Sequence, residues 1–410
     1  MAVLEATRAR LAQELARARE QTHNLFSILH HSVLYERPIA ERHRVVFYIG
    51  HLDAFDYIQI CREGLGRKSR EPQLDLLFQA GIDPDSTSLP SDTPADWPKL
   101  PQIMDYVKQA RREVDDALDV APEHSVSMAI EHRLMHLETL AYMFHNFPHS
   151  AKIAPSDVQS GVDGGFRASR NDLREIPAGQ ATLGKSKDDQ FGWDNEYEQT
   201  HSFVPSFRIQ QHKVTNGEYL RFVDQGAPLP HFWVKQGDRL YQRGMFADIP
   251  LPLDWPVYVT QREATEYAAW IGMTLPSEAQ FDRAGYGDKP PDDRPYPWGI
   301  ANPRPDHGNF DFRQWEPESV HSTPAGDSEF GVSQLVGNGW EWTNSLFEPF
   351  EGFRPSPSYP GYSANFFDGQ HYVMKGGSQR TAARLLRRSF RNWFRPEYPY
   401  VYAGFRCVEN

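Results

Sequence analysis

The sequence predicts an α+β protein of two domains, a four-helix bundle followed by a domain of many short strands and irregular loops. Before residue 150, apolar residues recur at the spacing of amphipathic helices. From about residue 171 onward, apolar runs are short, aromatic residues are frequent, and Gly or Pro interrupts the pattern at short intervals. We therefore expect the bundle over residues 1–150, a Gly-rich linker over 151–171 and the second domain over 172–410.

Four stretches of the first domain have helical periodicity. Residues 4–20 and 102–119 are amphipathic, whereas residues 42–60 and 125–147 are more apolar. Because the more apolar pair would face inward, these four stretches predict a bundle. Residues 64–100 are rich in Pro, Asp and Ser and predict one long loop with a short helix. In the second domain, only residues 262–271 and 277–285 stand out as helical.

Charge and cysteine content exclude several classes of protein. The net charge of −12 disfavours nucleic acid or an anionic membrane as the main partner. The sequence contains no run of eighteen consecutive apolar residues, so no membrane span is predicted. The N-terminus lacks the apolar core of a signal peptide, and we expect it to belong to the mature protein. The two cysteines, Cys61 and Cys407, exclude a disulfide framework or a cysteine-cluster mechanism. We expect a cytoplasmic protein, monomeric or a small homo-oligomer, that acts on small molecules.

Two histidines one helical turn apart are the clearest chemical signal in the first domain. His132 and His136 share a helix face, the arrangement of a bidentate metal clamp, whereas Glu138 points elsewhere. A third ligand must come from another helix. The best candidate is His51, with Gly50 beside it to permit close approach. Three neutral imidazoles with open positions favour non-haem iron, zinc is the competing metal, and ordinary packing of the histidines is the alternative to both.

The second domain contains a series of motifs that resembles the formylglycine-generating-enzyme (sulfatase-modifying) family. The motifs occur in the family's order at residues 214–222, 256–270, 275–281, 337–343, 375–378, 388–393 and 404–406. The resemblance implies a C-type-lectin-like fold in which Asn338, Trp340, Glu341 and Trp342 form a buried core rather than a catalytic centre. The namesake's paired cysteines are missing from residues 379–388, so its activity does not carry over.

The combination of the two domains resembles a narrower group, the ergothioneine-biosynthesis sulfoxide synthases (EgtB-type) and the related selenoneine synthases (SenA-type). Their DinB-like bundle has an H-x3-H-x-E motif and an earlier helical His, which correspond here to His132, His136 and His51. The resemblance implies that these three bind Fe(II), that O2 is a co-substrate, and that hercynine (trimethylhistidine) is the substrate. It also implies oxidative bond formation between a chalcogen and C2 of the hercynine imidazole.

Several aromatic residues acquire roles from the same resemblance. A Y-x-x-Y-S segment supplies Tyr359 as the first candidate for the proton or hydrogen donor and Tyr362 for a packing or substrate contact. The alternative is that both are ordinary loop aromatics. Trp393 is a candidate to stack on an imidazole or to face the trimethylammonium group, and Phe366 and Phe367 belong to the same set of available aromatic faces.

Two departures from the sulfoxide synthases bear on the chalcogen donor. Members that use γ-glutamylcysteine have Asp after the motif tryptophan, where this chain has Phe394, and tend to have Gln where this chain has Met135. A selenosugar would not need that carboxylate, so we expect a selenoneine-type reaction. The alternatives are γ-glutamylcysteine or cysteine as donor, a zinc-dependent thiol transferase of the DinB class, and a lectin-like binding protein without activity.

Overall fold

The computed structural model describes residues 2–79, 89–156, 171–187 and 190–409. The chain divides into two compact units, residues 1–158 and residues 159–410. The predicted linker over 151–171 spans this division, but its residues 157–170, including all of its glycines, lie outside the described residues. Among the described residues, no helix combines the length and apolar character that crossing a bilayer requires.

The described part of the first unit is helical. Its α-helices are α1 (Ala2–Phe26), α2 (Val45–Tyr57), α3 (Pro72–Gln79), α4 (Leu100–Asp115) and α5 (Glu123–His145). Helix α1 packs on α5, and α2 packs on α3, α4 and α5. These are the four predicted long helices plus the short helix expected within residues 64–100.

Helix α2 is the central element of this unit. All of its residues except Ile49 are buried, which agrees with the prediction that the more apolar helices face inward. It begins three residues later than predicted because Arg44 has an extended backbone (φ −66°, ψ 155°). It continues beyond Tyr57 as a π-helical turn over Ile58–Glu63, a rare element that is often found at functional sites.

The second unit combines small sheets with extensive irregular chain, as predicted. Its described strands are β1 (Leu173–Ile176), β2 (Gly179–Leu183), β3 (Thr200–Val204), β4 (Phe207–Gln210), β5 (Trp233–Gln236), β6 (Arg239–Arg243), β7 (Asp248–Pro250), β8 (Trp340–Leu346), β9 (Tyr372–Lys375), β10 (Asn392–Phe394), β11 (Ala403–Gly404) and β12 (Val408–Glu409). They form sheets in the orders β1-β4-β12, β10-β9-β8-β11, β2-β3 and β5-β6-β7. The pairing of β8 with β11 is parallel, and the other pairings between these strands are antiparallel.

Three helices accompany these strands: α6 (Asn216–Val223), α7 (Gln261–Trp270) and α8 (Glu278–Tyr286). Each begins with a capping box, in which a Thr or Ser side chain and a Glu or Gln three residues later satisfy each other's backbone N–H groups. Helices α7 and α8 correspond to the two predicted stretches. Helix α6 was not predicted, although Thr215 and Glu218 contain the same capping signal.

The motif residues of the second unit form a buried polar core. Asn338, Trp340, Glu341 and Trp342 are all buried, as expected for residues that build the fold. Arg406 donates two hydrogen bonds to Glu341, at 2.6 and 2.7 Å, and the Lys213 ammonium lies 3.2 Å from the same carboxylate. Because this carboxylate is fully buried and paired with two cations, its role is structural. Cys407 is also buried, as predicted.

Candidate functional site

Three histidine side chains converge in the helical unit. His132 and His136 lie one turn apart on α5, and His51 faces them from α2. The Nε2 atom of His136 lies 3.1 Å from that of His132 and 3.2 Å from that of His51. All three side chains are buried, and ligand atoms of all three lie within 4.8 Å of one another. The structure therefore brings together the three residues that the sequence predicts as metal ligands.

The spacing of these nitrogens fits a metal ion. Two nitrogens bound to one metal at about 2.1 Å lie about 3.0 Å apart at a right angle and about 3.4 Å apart at a tetrahedral angle. Both Nε2 separations fall between these values. The donor set of three imidazoles suits iron or zinc equally well. Glu138 is buried on the same helix but is not part of the converging group in the described chain.

The orientation of His51 is set by a backbone carbonyl. The Phe78 carbonyl at the end of α3 lies 2.7 Å from Nδ1 of His51 and can only accept a hydrogen bond. The proton of the neutral imidazole is therefore on Nδ1, which leaves the lone pair of Nε2 available to a metal. The Phe78 ring packs where a Cβ at Gly50 would lie, 2.4 Å from the nearest ring atom. Gly50 therefore permits the approach of α3 that brings the carbonyl to His51.

Aromatic rings hold the other faces of the imidazoles. The Phe55 ring stacks on His132, with centroids 3.4 Å apart and planes 8° apart. The Phe47 ring stacks on His51, with centroids 4.8 Å apart. Because Phe47 and Phe55 lie four residues before and after His51, the same helical period places all three on one side of α2. These rings restrict the imidazoles to a narrow range of orientations.

Burial keeps the three histidines neutral. It lowers the pKa of His51 to about 4, although the hydrogen bond with the Phe78 carbonyl opposes this shift. Burial, followed by repulsion from neighbouring histidines, also lowers the pKa of His132 and of His136 well below the usual range. A neutral imidazole is the form that binds a metal. The site is therefore electrostatically prepared for a cation at neutral pH.

A buried ion network joins the two helices that carry the histidines. Arg133 on α5 donates to Asp53 at 3.0 Å and to Asp56 at 2.5 Å, both on α2. Arg111 on α4 donates two further hydrogen bonds to Asp53. Burial opposes ionisation of Asp53, but these arginines outweigh it and hold its pKa below the usual range. The network fixes the register between α2 and α5 close to the histidines.

Most of the predicted aromatic site residues of the second unit lie in one chain of ring contacts. Tyr362 stacks on Trp193 with centroids 4.0 Å apart, and Trp393 contacts Tyr362 edge-on at 5.5 Å. The remaining contacts of this aromatic cluster join Phe366 to Trp393, Phe347 to Trp393 and Phe367, and Tyr359 to Tyr362. Except for Trp193 and Phe347, these side chains are half-buried, so parts of their faces are accessible to a ligand.

Phe394 and Met135 lie outside this cluster. Phe394 follows Trp393 on β10, and neighbouring residues of a strand point to opposite sides. Its ring stacks on Tyr398, with centroids 4.9 Å apart and planes 15° apart. Met135 is half-buried on α5, one residue before His136.

Some residues that shape the histidine group or the aromatic cluster were not predicted from the sequence. Phe55 and Phe47 carry a usable signal, since both lie one helical turn from His51. Phe78 contributes a carbonyl, which leaves no signature in the sequence. Trp193 is far from Tyr362 in the chain, and only the folded structure brings the two rings together.

Comparison with known proteins identifies the class. A family model described as "Sulfatase-modifying factor enzyme 1-like domain" matches residues 165–410, which is more than half of the chain. The protein therefore combines a sulfatase-modifying-factor domain with a helical bundle that carries three converging histidines.

Individual relatives narrow this class. The hercynine oxygenase of Mycolicibacterium thermoresistibile is 31% identical, over 98% of this chain and 95% of its own length. That of Mycobacterium tuberculosis is 33% identical, over 74% of this chain and 76% of its own length. This chain belongs to the hercynine oxygenase family. "Ergothioneine biosynthesis protein 1" of Schizosaccharomyces pombe is 28% identical over 93% of this chain, which spans about half (54%) of that relative's length.

Proposed function

We propose that this protein catalyses an Fe(II)- and O2-dependent bond formation between C2 of the hercynine imidazole and a chalcogen. The convergence of three neutral, buried imidazoles supports this function most directly. The names of the relatives support hercynine as the substrate. In the overall reaction a C2–H bond and an Se–H or S–H bond break and the carbon–chalcogen bond forms. O2 accepts four electrons, with one oxygen atom ending on the chalcogen and the other in water.

Each part of the chain has a defined task in this proposal. Iron held by His51, His132 and His136 would supply the redox chemistry and the open positions at which the reactants meet. The faces of Trp393, Phe366 and Phe367 would bind the trimethylammonium group of hercynine by cation–π attraction. Tyr359, on an irregular segment, would hold a proton or hydrogen at Oη and supply it to the O2-derived oxygen that leaves as water.

We further propose that the chalcogen donor is a selenosugar. The position after Trp393 is occupied by Phe394, whose ring stacks on Tyr398 and offers an apolar surface of the kind that packs against sugar rings. A donor with an ammonium group would instead favour a carboxylate there. The names of the relatives favour the second candidate, an ergothioneine-type reaction with γ-glutamylcysteine or cysteine.

A competition assay read by mass spectrometry tests both statements. The protein, Fe(II), O2 and hercynine are incubated with a selenosugar, γ-glutamylcysteine and cysteine together. We expect the carbon–selenium product to predominate, and no product without O2. A preference for γ-glutamylcysteine would overturn the choice of donor. Full anaerobic activity with zinc would replace the oxidative reaction by thiol transfer, and binding of hercynine without turnover of any donor would indicate a binding protein.

A further inference from the structure

The segment that carries both predicted catalytic tyrosines is irregular. We call residues 356–363, between β8 and β9, the tyrosine loop. Its internal backbone hydrogen bonds are turn contacts, from Tyr359 N to Ser356 O and from Tyr362 N to Tyr359 O, both 3.2 Å. Side-chain anchors must supply most of its order, since fixing each residue of an irregular segment costs backbone entropy.

One carboxylate binds both ends of the tyrosine loop. The backbone N–H of Ser356 donates to Oδ2 of Asp194 at 3.2 Å, and the Ser363 hydroxyl donates to Oδ1 at 2.5 Å. Ser363 and Asp194 are both buried. Because the two oxygens belong to one rigid group, these bonds fix the distance between the ends of the loop.

Asp194 is itself held on a firmly anchored turn. It begins the short 3₁₀ helix Asp194–Glu196, and the Glu196 side chain accepts from the backbone N–H of Trp193 at 2.8 Å. Arg387 donates two hydrogen bonds to Glu196, at 2.7 and 2.5 Å, and Ser389 donates a third at 2.6 Å. The Trp193 ring, next to Asp194, stacks on Tyr362 of the loop. The turn therefore contacts the loop at both ends, at Ser356 on one side and at Tyr362 and Ser363 on the other.

We propose that Asp194 is a positioning residue that holds the tyrosine loop in one conformation and so fixes the location of the Tyr359 hydroxyl. The consequence for turnover rests on the proposed function, in which Tyr359 delivers a proton. The structural part of the proposal does not depend on the reaction. It requires only that the loop lose order when the carboxylate is removed.

Amide hydrogen exchange tests the structural part. Asp194→Ala removes both acceptors, Ser363→Ala removes one donor, and Asp194→Asn keeps one acceptor. We expect the amides of Tyr359 and Tyr362 to exchange at least about tenfold faster in Asp194→Ala, and less so in the other two variants. Glu316→Ala is the matched control, because Glu316 accepts from the backbone N–H of Met245 elsewhere in the same unit. Unchanged exchange of the loop in both Asp194→Ala and Ser363→Ala would overturn the proposal.

A double-mutant cycle tests the consequence for turnover. If Asp194 acts through Tyr359, the losses in kcat from Asp194→Ala and Tyr359→Phe are not additive, and the KM for hercynine changes little in either. Additive losses, or a loss confined to KM, would contradict the positioning role. Faster loop exchange in Asp194→Ala, found together with a wild-type protein that has no turnover, would leave the loop anchor standing and overturn only the proposed function.

Discussion

The two regions with predicted chemistry hold their side chains in opposite ways. The three histidines are on α2 and α5, where the helical period and a buried ion network set their positions. The aromatic cluster is spread over short strands, turns and an irregular loop, and tertiary contacts set the position of each ring. Helices supply their own backbone hydrogen bonds, whereas irregular chain needs anchors such as Asp194 and Glu196. Single substitutions should therefore have large effects on metal binding in the first region and smaller effects on substrate binding in the second.

The largest effect should follow the loss of a metal ligand. His136→Ala removes the imidazole whose Nε2 lies within 3.2 Å of both of the others. We expect the affinity for Co(II), a spectroscopic substitute for iron, to fall more than about 100-fold, because losing even a partner of a ligand costs about 10–100-fold. Titration of the purified protein with Co(II), followed by absorption, measures this affinity.

His145→Ala is the control for this variant. His145 is also buried on α5 but is not part of the converging group. Its Co(II) affinity should match that of the wild type. Equal losses in both variants would show that the helix, rather than the imidazole at residue 136, determines metal binding.

The second-largest effect tests whether the packing of α3 on α2 determines the position of the His51 imidazole. In Gly50→Ala, the new methyl group meets the Phe78 ring at 2.4 Å and must displace it, and we expect the carbonyl that orients His51 to move with α3 as a result. We expect Co(II) affinity to fall about tenfold or more while the fold is retained. Phe78→Leu in the same chain should restore part of the affinity, because the smaller side chain leaves room for the methyl group. No change in Gly50→Ala would show that the contact with α3 does not position His51.

The same difference between the regions explains what could be predicted from the sequence. His132 and His136 could be paired from their spacing alone, and His51 from its place on an apolar helix. Phe78 could not, because its carbonyl acts through the backbone and its helix lies in a stretch rich in Pro, Asp and Ser. Asp194 could not either, since its partners Ser356 and Ser363 follow more than 150 residues later.

Local rules of secondary structure do apply to parts of the second unit. The capping residues Thr215 and Glu218 are a sequence signal that predicts the start of helix α6. Strand alternation places Phe394 and Trp393 on opposite sides of β10, so their rings have different neighbours. Ring contacts between distant segments have no such local signal. The members of the aromatic cluster could therefore be proposed only from the family resemblance, and their contacts are visible only in the folded structure.

A moderate effect should separate substrate binding from metal binding. Trp393→Ala removes a ring that stacks on Phe347 at 4.2 Å and contacts Tyr362. If this ring faces the trimethylammonium group, the KM for hercynine should rise about tenfold with Co(II) affinity unchanged. Trp270→Ala, at a tryptophan of the same unit that is 44% exposed, should leave KM unchanged. A fall in Co(II) affinity in Trp393→Ala would contradict the independence of the two regions.

The smallest effect concerns two buried carboxylates whose stability contributions change with pH in opposite directions. Asp53 in the bundle is bound by two arginines, and its lowered pKa means that it stabilises the fold until acid protonates it. Asp282 on α8 is fully buried, and burial raises its pKa to about 6 against the opposing charges of Lys375 and Arg388. The folded state thus binds this proton more tightly than the unfolded chain, whose carboxyl has the ordinary pKa of 3.8.

The contribution of Asp282 to the free energy of unfolding should therefore increase as the pH falls through 6, by about 1 kcal/mol between pH 7 and pH 5. Asp282→Asn cannot take up the proton and should lack this increment. Urea unfolding followed by tryptophan fluorescence reports the second unit, because Trp97 is the only tryptophan before residue 159. The difference in unfolding free energy between wild type and variant should shift by that amount between the two pH values. An identical pH dependence in both proteins would mean that Asp282 is ionised in the fold at pH 5 as Asp53 is, and the contrast between the two carboxylates would not hold.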